Sequence, residues 1–200
     1  MLVAVASVIS QERAEEILAP HLDAVGSCLF NAWDHWRTTE LPLSVSARAR
    51  ANLVYDFAVG EARSILEGRE GLVLTDERGF LAVNVEEKLL LRFKKYRGKG
   101  LATSGISTLQ KRLFDHQQLS IAGMEQVTGI IAGYELDEFQ RDIRRVAITC
   151  RMGASLIWTI EVSRPDASGV VPIGTPDQPR PKTEVRSARS KEEESAQEGS

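Results

Sequence analysis

The spacing of apolar residues changes once along this chain, and that change limits the fold more than any other feature. Before Gly68 they recur every three or four positions, the period of a helix with one buried face. After it they alternate, the period of a strand. Ser10 suits the N-cap of a first helix ending near Ala19, with Glu12, Glu15 and Glu16 in its early turns. Pro20 fits the first position of a second helix over about 20–38, along which Leu22, Val25, Leu29, Ala32 or Trp33, and Trp36 recur. Pro42 interrupts the pattern. Ser44 or Ser46 then opens a third helix whose Leu53, Val54, Phe57, Ala58, Ile65 and Leu66 face a core, and Gly68 stops it.

Beyond Gly68, the stretches 72–74 and 80–85 predict a hairpin around Asp76–Gly79, and 88–96 a further strand. Gly98, Gly100 and Gly105 mark a loop. Ser107 or Thr108 begins a short helix through about His116, and a second loop runs to Gln126. Strands are expected over 127–136, 143–150 and 155–163, with turns at 137–142 and 151–153. On the last strand Leu156, Trp158, Ile160 and Val162 share a face, so Trp158 should be buried against the second or third helix. Helices first, then mostly antiparallel strands with one inserted helix, make an α+β fold. The expected domain covers 1–164, helical over 1–68 and sheet-rich over 69–164.

Five of the seven prolines lie between 165 and 181, and Val185 is the one aliphatic larger than alanine in the last twenty residues. Such a stretch buries too little apolar surface to offset its ordering entropy, so 165–200 is expected to be a disordered tail. It mixes six basic and seven acidic residues from Arg164 on, which suits either a segment that orders on binding a partner or a plain linker. Two cysteines, Cys28 and Cys150, both with apolar neighbours, exclude a disulfide framework and suit inert core thiols in a reducing cytoplasm. The apolar start, Met1 to Ile9, has no Lys or Arg before it and acids directly after, which reads as a buried strand or helix turn and not as a signal peptide. No other apolar run approaches the roughly 18–20 residues that cross a bilayer, so no membrane association is expected.

Several chemistries can be weighed against spacing. His21, Cys28 and His35 stand seven apart on one helical stripe. Two turns advance the axis by about 10.5 Å, too far for three ligands of one ion, so no metal and no cofactor is expected. Asp76 with Glu86-Glu87-Lys88 matches the bare D…ExK spacing in which two carboxylates hold magnesium and a lysine orients water. That would make a metal-dependent nuclease the alternative reading, with Asp76, Glu86 and Lys88 as its catalytic residues. A hairpin turning at 76–79 works against it, because the carboxylates then lie at opposite strand ends. His116 follows Asp115, but there is no Gly-x-Ser-x-Gly elbow, no P-loop, no GxGxxG after a strand and no HExxH. Trp33 to Trp36 reads as core, with a ligand-facing platform as the alternative.

One charge pattern stands above background. From Lys88 to Phe114 the chain carries Lys88, Arg92, Lys94, Lys95, Arg97, Lys99, Lys111 and Arg112 with no Asp or Glu, a local +8 in a chain of net charge −3. Arg92, Lys94 and Tyr96 fall on one strand face and Phe93 and Lys95 on the other, so Phe93 should point to the core and Arg92 and Lys94 outward. The cations are interleaved with Phe93, Tyr96 and Phe114 and followed by a glycine-rich loop, a combination that suits a phosphodiester backbone. An acidic protein partner, or a face solvated or paired within the fold, would meet the same charges.

Arg92-Phe-Lys-Lys95, Thr108-Leu-Gln110, Gly133-Tyr-Glu-Leu-Asp137 and Trp158 occur in that order. Together they resemble an uncharacterised family of bacterial proteins from mobile-element or phage-type loci, often beside a helix-turn-helix regulator. The resemblance covers roughly residues 50–163 and implies a setting of genome defence, toxin–antitoxin control or prophage regulation, with no catalytic residue to carry over. The expectation is a non-enzymatic, nucleic-acid-associated or regulatory protein acting through the segment 88–114. The alternatives are the nuclease above or an interaction partner of a neighbouring gene product.

Overall fold

The computed structural model describes residues 8–39, 45–77, 79–98, 100–103, 109–118 and 127–165. The expectations for 1–7, for Lys99 and for the tail from 166 fall outside them. Three N-terminal helices form as the spacing requires. In α1 (Gln11–Leu18) the Ser10 hydroxyl accepts the Arg13 N–H at 3.3 Å. Pro20 opens a single 3-10 turn, Ala19–His21, and α2 (Leu22–Thr38) continues from it. Of the two candidate serines Ser46 caps α3 (Ala47–Leu66), accepting the Ala49 N–H at 3.2 Å. Gly68 follows with φ of 78°, a left-handed conformation that leaves glycine unstrained.

The rest is one sheet: β1 (Leu72–Glu77), β2 (Phe80–Val85), β3 (Leu89–Arg97), β4 (Ala102–Thr103), β5 (Thr128–Leu136), β6 (Ile143–Met152) and β7 (Ser155–Val162), with α4 (Leu109–Asp115) between β4 and β5. The order is β1-β2-β3-β5-β6-β7, with β4 paired to β3. Every pairing is antiparallel except β3–β5. A parallel pair needs a crossover, and β4 and α4 lie on it. The fold is α+β.

Helices α1, α2 and α3 cover one face of the sheet. Leu91, Phe93, Ile130, Ile148 and Ile160 meet Leu29, Trp33, Val54 and Leu66 there. Gly26 lets α2 close on β7, since a Cβ at that position would stand 2.6 Å from Val162 Cγ1. Trp158 is buried on this side with Ile160 and Val162, whereas Leu156, expected on the same face, is exposed because the register shifts between it and Trp158. The Trp158 indole N–H donates to the Ile9 carbonyl at 2.9 Å, so the chain entering α1 holds its polar end. The opposite face is also covered at its centre, where Leu90, Tyr96, Leu101, Phe114, Ile131 and Ala147 form a second core. All nine residues of β5 are buried in consequence.

Candidate functional site

Strand β3 sends its cations in different directions. Lys88 is exposed just before the strand and Arg97 is exposed at its end, some 30 Å away along a strand of this rise. Arg92 and Lys94 project from the face opposite the three helices, whereas Lys95 pairs in register with Tyr134 on the helix side. The described cations of this segment therefore do not make one contiguous exposed face. Phe93, Tyr96 and Phe114 are 1%, 2% and 5% exposed, so none of the three is open to stacking. The reason is the second core, which buries Tyr96 and Phe114 where alternation alone predicts a solvated face.

What assembles around Arg92 and Lys94 is smaller and more specific. The Arg92 guanidinium lies 4.6 Å from the Phe114 ring centroid, and the Lys94 ammonium 4.6 Å from that of Phe80. Tyr55 of α3 stands edge-on to Phe80, with ring centroids 6.4 Å apart, and its hydroxyl accepts the Leu81 N–H at 3.0 Å. Lys111 of α4 pairs with Asp115, one residue beyond the acid-free run. Burial lowers the Lys94 pKa, and the neighbouring Arg92 and Lys111 charges lower it further against Asp115. Half-buried cations beside one another repel, and an anion placed among them would relieve that repulsion. Arg112 is exposed one position along α4.

Phe80 is the residue that sequence spacing missed. It is 41% exposed and shares its face with Ala82 and Asn84. The available signal was an aromatic at the start of a strand, directly after a turn.

The platform is fixed from below by two buried polar side chains. The Tyr96 hydroxyl donates to the Ile131 carbonyl at 2.7 Å and lies 2.9 Å from Thr149 Oγ1. Its ring fits because position 133 is glycine, where a Cβ would come within 2.5 Å of Tyr96 Cε2. Gln117, just after α4, bonds to β5 and β6 beyond Ile130 and Cys150, the last pair of their ladder. Its amide donates to the Gly129 and Arg151 carbonyls at 2.9 and 2.8 Å, and its carbonyl accepts the Gly129 N–H at 2.7 Å.

The other sequence candidates are not brought together. Asp76 pairs with Leu81 in the β1–β2 ladder, while Glu86 lies past Val85, opposite Gly71. Five residue steps separate them, roughly 16 Å. Asp76 also forms a two-pronged ion pair with Arg63, at 2.7 and 2.8 Å. Cys28 and Cys150 are buried free thiols, each pushed up to about 12 by loss of solvent. His35 points outward to Glu61 at 3.5 Å, and no metal-ligating group of three acids, histidines or cysteines occurs among the described residues. Trp33 is buried and Trp36 packs against the core. A groove of about 490 Å³ beside Phe30 has three arginines on its walls. Two of them are already engaged, Arg145 by Glu135 and Glu161, and Arg164 by Asp34. No helix among the described residues is long and apolar enough to cross a membrane.

Comparison with protein-family models, with curated proteins and with solved structures finds no match to this chain.

Proposed function

We propose that the protein is a non-enzymatic, cytoplasmic nucleic-acid-binding regulator that uses the face opposite α1, α2 and α3, formed by β2, β3 and α4. The observation that carries this reading is the placing of Arg92 and Lys94 at successive same-face positions of β3, each over an aromatic ring and next to Lys111. Guanidinium and ammonium groups held in this way meet phosphate oxygens. Arg112 extends the row, and Phe80, 41% exposed, supplies an aromatic ring for a base to pack against. In the setting implied by the resemblance above, such a binder would act in genome defence, toxin–antitoxin control or prophage regulation.

The test is fluorescence anisotropy with labelled single-stranded and duplex oligonucleotides. Four phosphate contacts predict a loss of roughly a hundredfold in affinity between about 50 and 200 mM salt. Reversing Lys94 and Arg112 to Glu should abolish binding without unfolding the chain. Absence of binding by the unaltered protein at low salt would reject the reading.

A further inference from the structure

The helix side of β3 holds a second concentration of positive charge, distinct from the one around Lys94. Lys95 is half-buried beside Tyr134, in the same strand register. The first turn of α3 reads Ala47-Arg48-Ala49-Arg50 and contains no acid. Among the described residues Arg50 is held by neutral oxygens: its Nη1 donates to the Gln140 carbonyl at 3.3 Å and its Nη2 to the Gln140 side-chain oxygen. Gln140 lies in the turn after β5, so that turn fixes the guanidinium near the strand ends. Of the same turn's three acids two are engaged elsewhere, and the third, Glu138, is exposed. Asp142 faces Arg37, and Asp137 accepts the Arg141 N–H. Among the described residues no carboxylate pairs with Lys95 or Arg50.

Three costs coincide here. A lysine loses solvent, Arg97 lies two positions along β3 on the same face, and Arg50 is tied to the turn at the end of β5, the strand with which Lys95 pairs. Arginines also occupy the end of a 20-residue helix where the backbone dipole disfavours cations.

We infer that Lys95, Arg50 and Arg97 form a phosphate-binding site between β3 and the first turn of α3. More than one positive charge converges there, which favours a group carrying up to two negative charges over a lone carboxylate. The inference does not depend on the nucleic-acid reading, because the cations lie on the other side of the sheet.

The experiment is thermal unfolding of the full-length chain in low-salt buffer, with inorganic phosphate titrated against sodium chloride of equal ionic strength. Phosphate should raise Tm beyond chloride, and Lys95→Gln or Arg50→Gln should weaken its apparent affinity about tenfold or more, the loss expected for one charge-assisted contact. Without phosphate, Lys95→Gln and Lys95→Met should unfold at the same temperature as the parent or higher, because a repulsion has been removed. Arg13→Gln, on the exposed side of α1 where Arg13 pairs with Glu16, should keep the full phosphate response. The inference is overturned by a phosphate effect no larger than chloride's, by variants at 95 and 50 that respond like the parent, or by a lower Tm for both Lys95 variants in phosphate-free buffer. A second arm locates the source of the phosphate. If Lys95→Gln also weakens oligonucleotide binding, the site takes a backbone phosphate. If it leaves oligonucleotide binding unchanged while losing inorganic phosphate, the site takes a small phosphorylated molecule. Both results support the site.

Discussion

Replacing Gln117 tests whether one polar side chain joins α4 to the sheet. Gln117 is 4% exposed and makes three hydrogen bonds to the backbone of β5 and β6. Gln117→Leu keeps the volume and removes all three. It leaves the Gly129 N–H and the Gly129 and Arg151 carbonyls without those partners, each costing about 1–3 kcal/mol when buried. Relaxation of the strand ends at Gly129 and Arg151 recovers part of this, so the expected loss is about 3 kcal/mol. Urea unfolding followed by far-UV circular dichroism reads it directly. At a slope of roughly 2 kcal/mol per molar, the midpoint falls by about 1.5 M. The backbone offers an internal control, because Gln117 has a φ of 56°. Gln117→Gly loses the same bonds but relieves the left-handed conformation, so it should be about 1 kcal/mol more stable than Gln117→Ala. A Gln117→Leu protein within about 1 kcal/mol of the parent would refute the clamp, because no buried orphan would then have been created.

Trp158→Ala should cost about 3–5 kcal/mol, and Trp158→Phe about 1 kcal/mol for the bond to Ile9, both read by chemical denaturation. His21 is 6% exposed, and burial lowers its pKa below 6.5, with Glu86 opposing and Arg69 assisting. The unfolded chain therefore binds the proton more readily. Stability should be full above pH 6.5, fall as pH drops through that value toward the lower folded-state value, and level off beneath it. His21→Phe should flatten this part of a Tm–pH profile, and an unchanged profile would assign the slope to other groups. Cys28 and Cys150 should resist a thiol reagent at neutral pH until the chain unfolds. Stoichiometric labelling of the native protein would contradict their burial.

The local signals were legible because they depend on near neighbours. Ser10 and Ser46 cap helices, Gly68 ends one, and the change of period at that residue separates the helical layer from the sheet. Faces were legible too, as Trp158 and Phe93 show. Alternation reports which side chains share a face, but not whether something distant covers it. Tyr96 shares a face with Arg92 and Lys94 and was expected outside. Leu101 and Phe114 arrive from later in the chain and bury it. The run Leu89-Leu90-Leu91 was the hint that β3 is buried on both sides, since strands of that kind lose their alternation. Gln117 gave no signal, because its partners are backbone atoms at positions 129 and 151. The division of the cations followed from the same alternation once the helix side was known.

The single parallel seam has a consequence for the order of assembly. The hairpins β1–β2 and β6–β7 close through short turns, with Glu77 against Phe80 and Met152 against Ser155. The seam instead pairs Leu89 with Thr128, 39 positions apart, and must bring together two meanders that can each form without the other. Closing the longer loop loses more chain entropy and defers its contacts, so the two halves should form early and dock late. Truncations within either hairpin, such as Val83→Ala or Ile148→Ala, should slow refolding in stopped-flow experiments. Ile131→Ala, at the seam, should mainly hasten unfolding. A larger refolding effect at Ile131 than at either hairpin would reverse that order and make the crossover the nucleus.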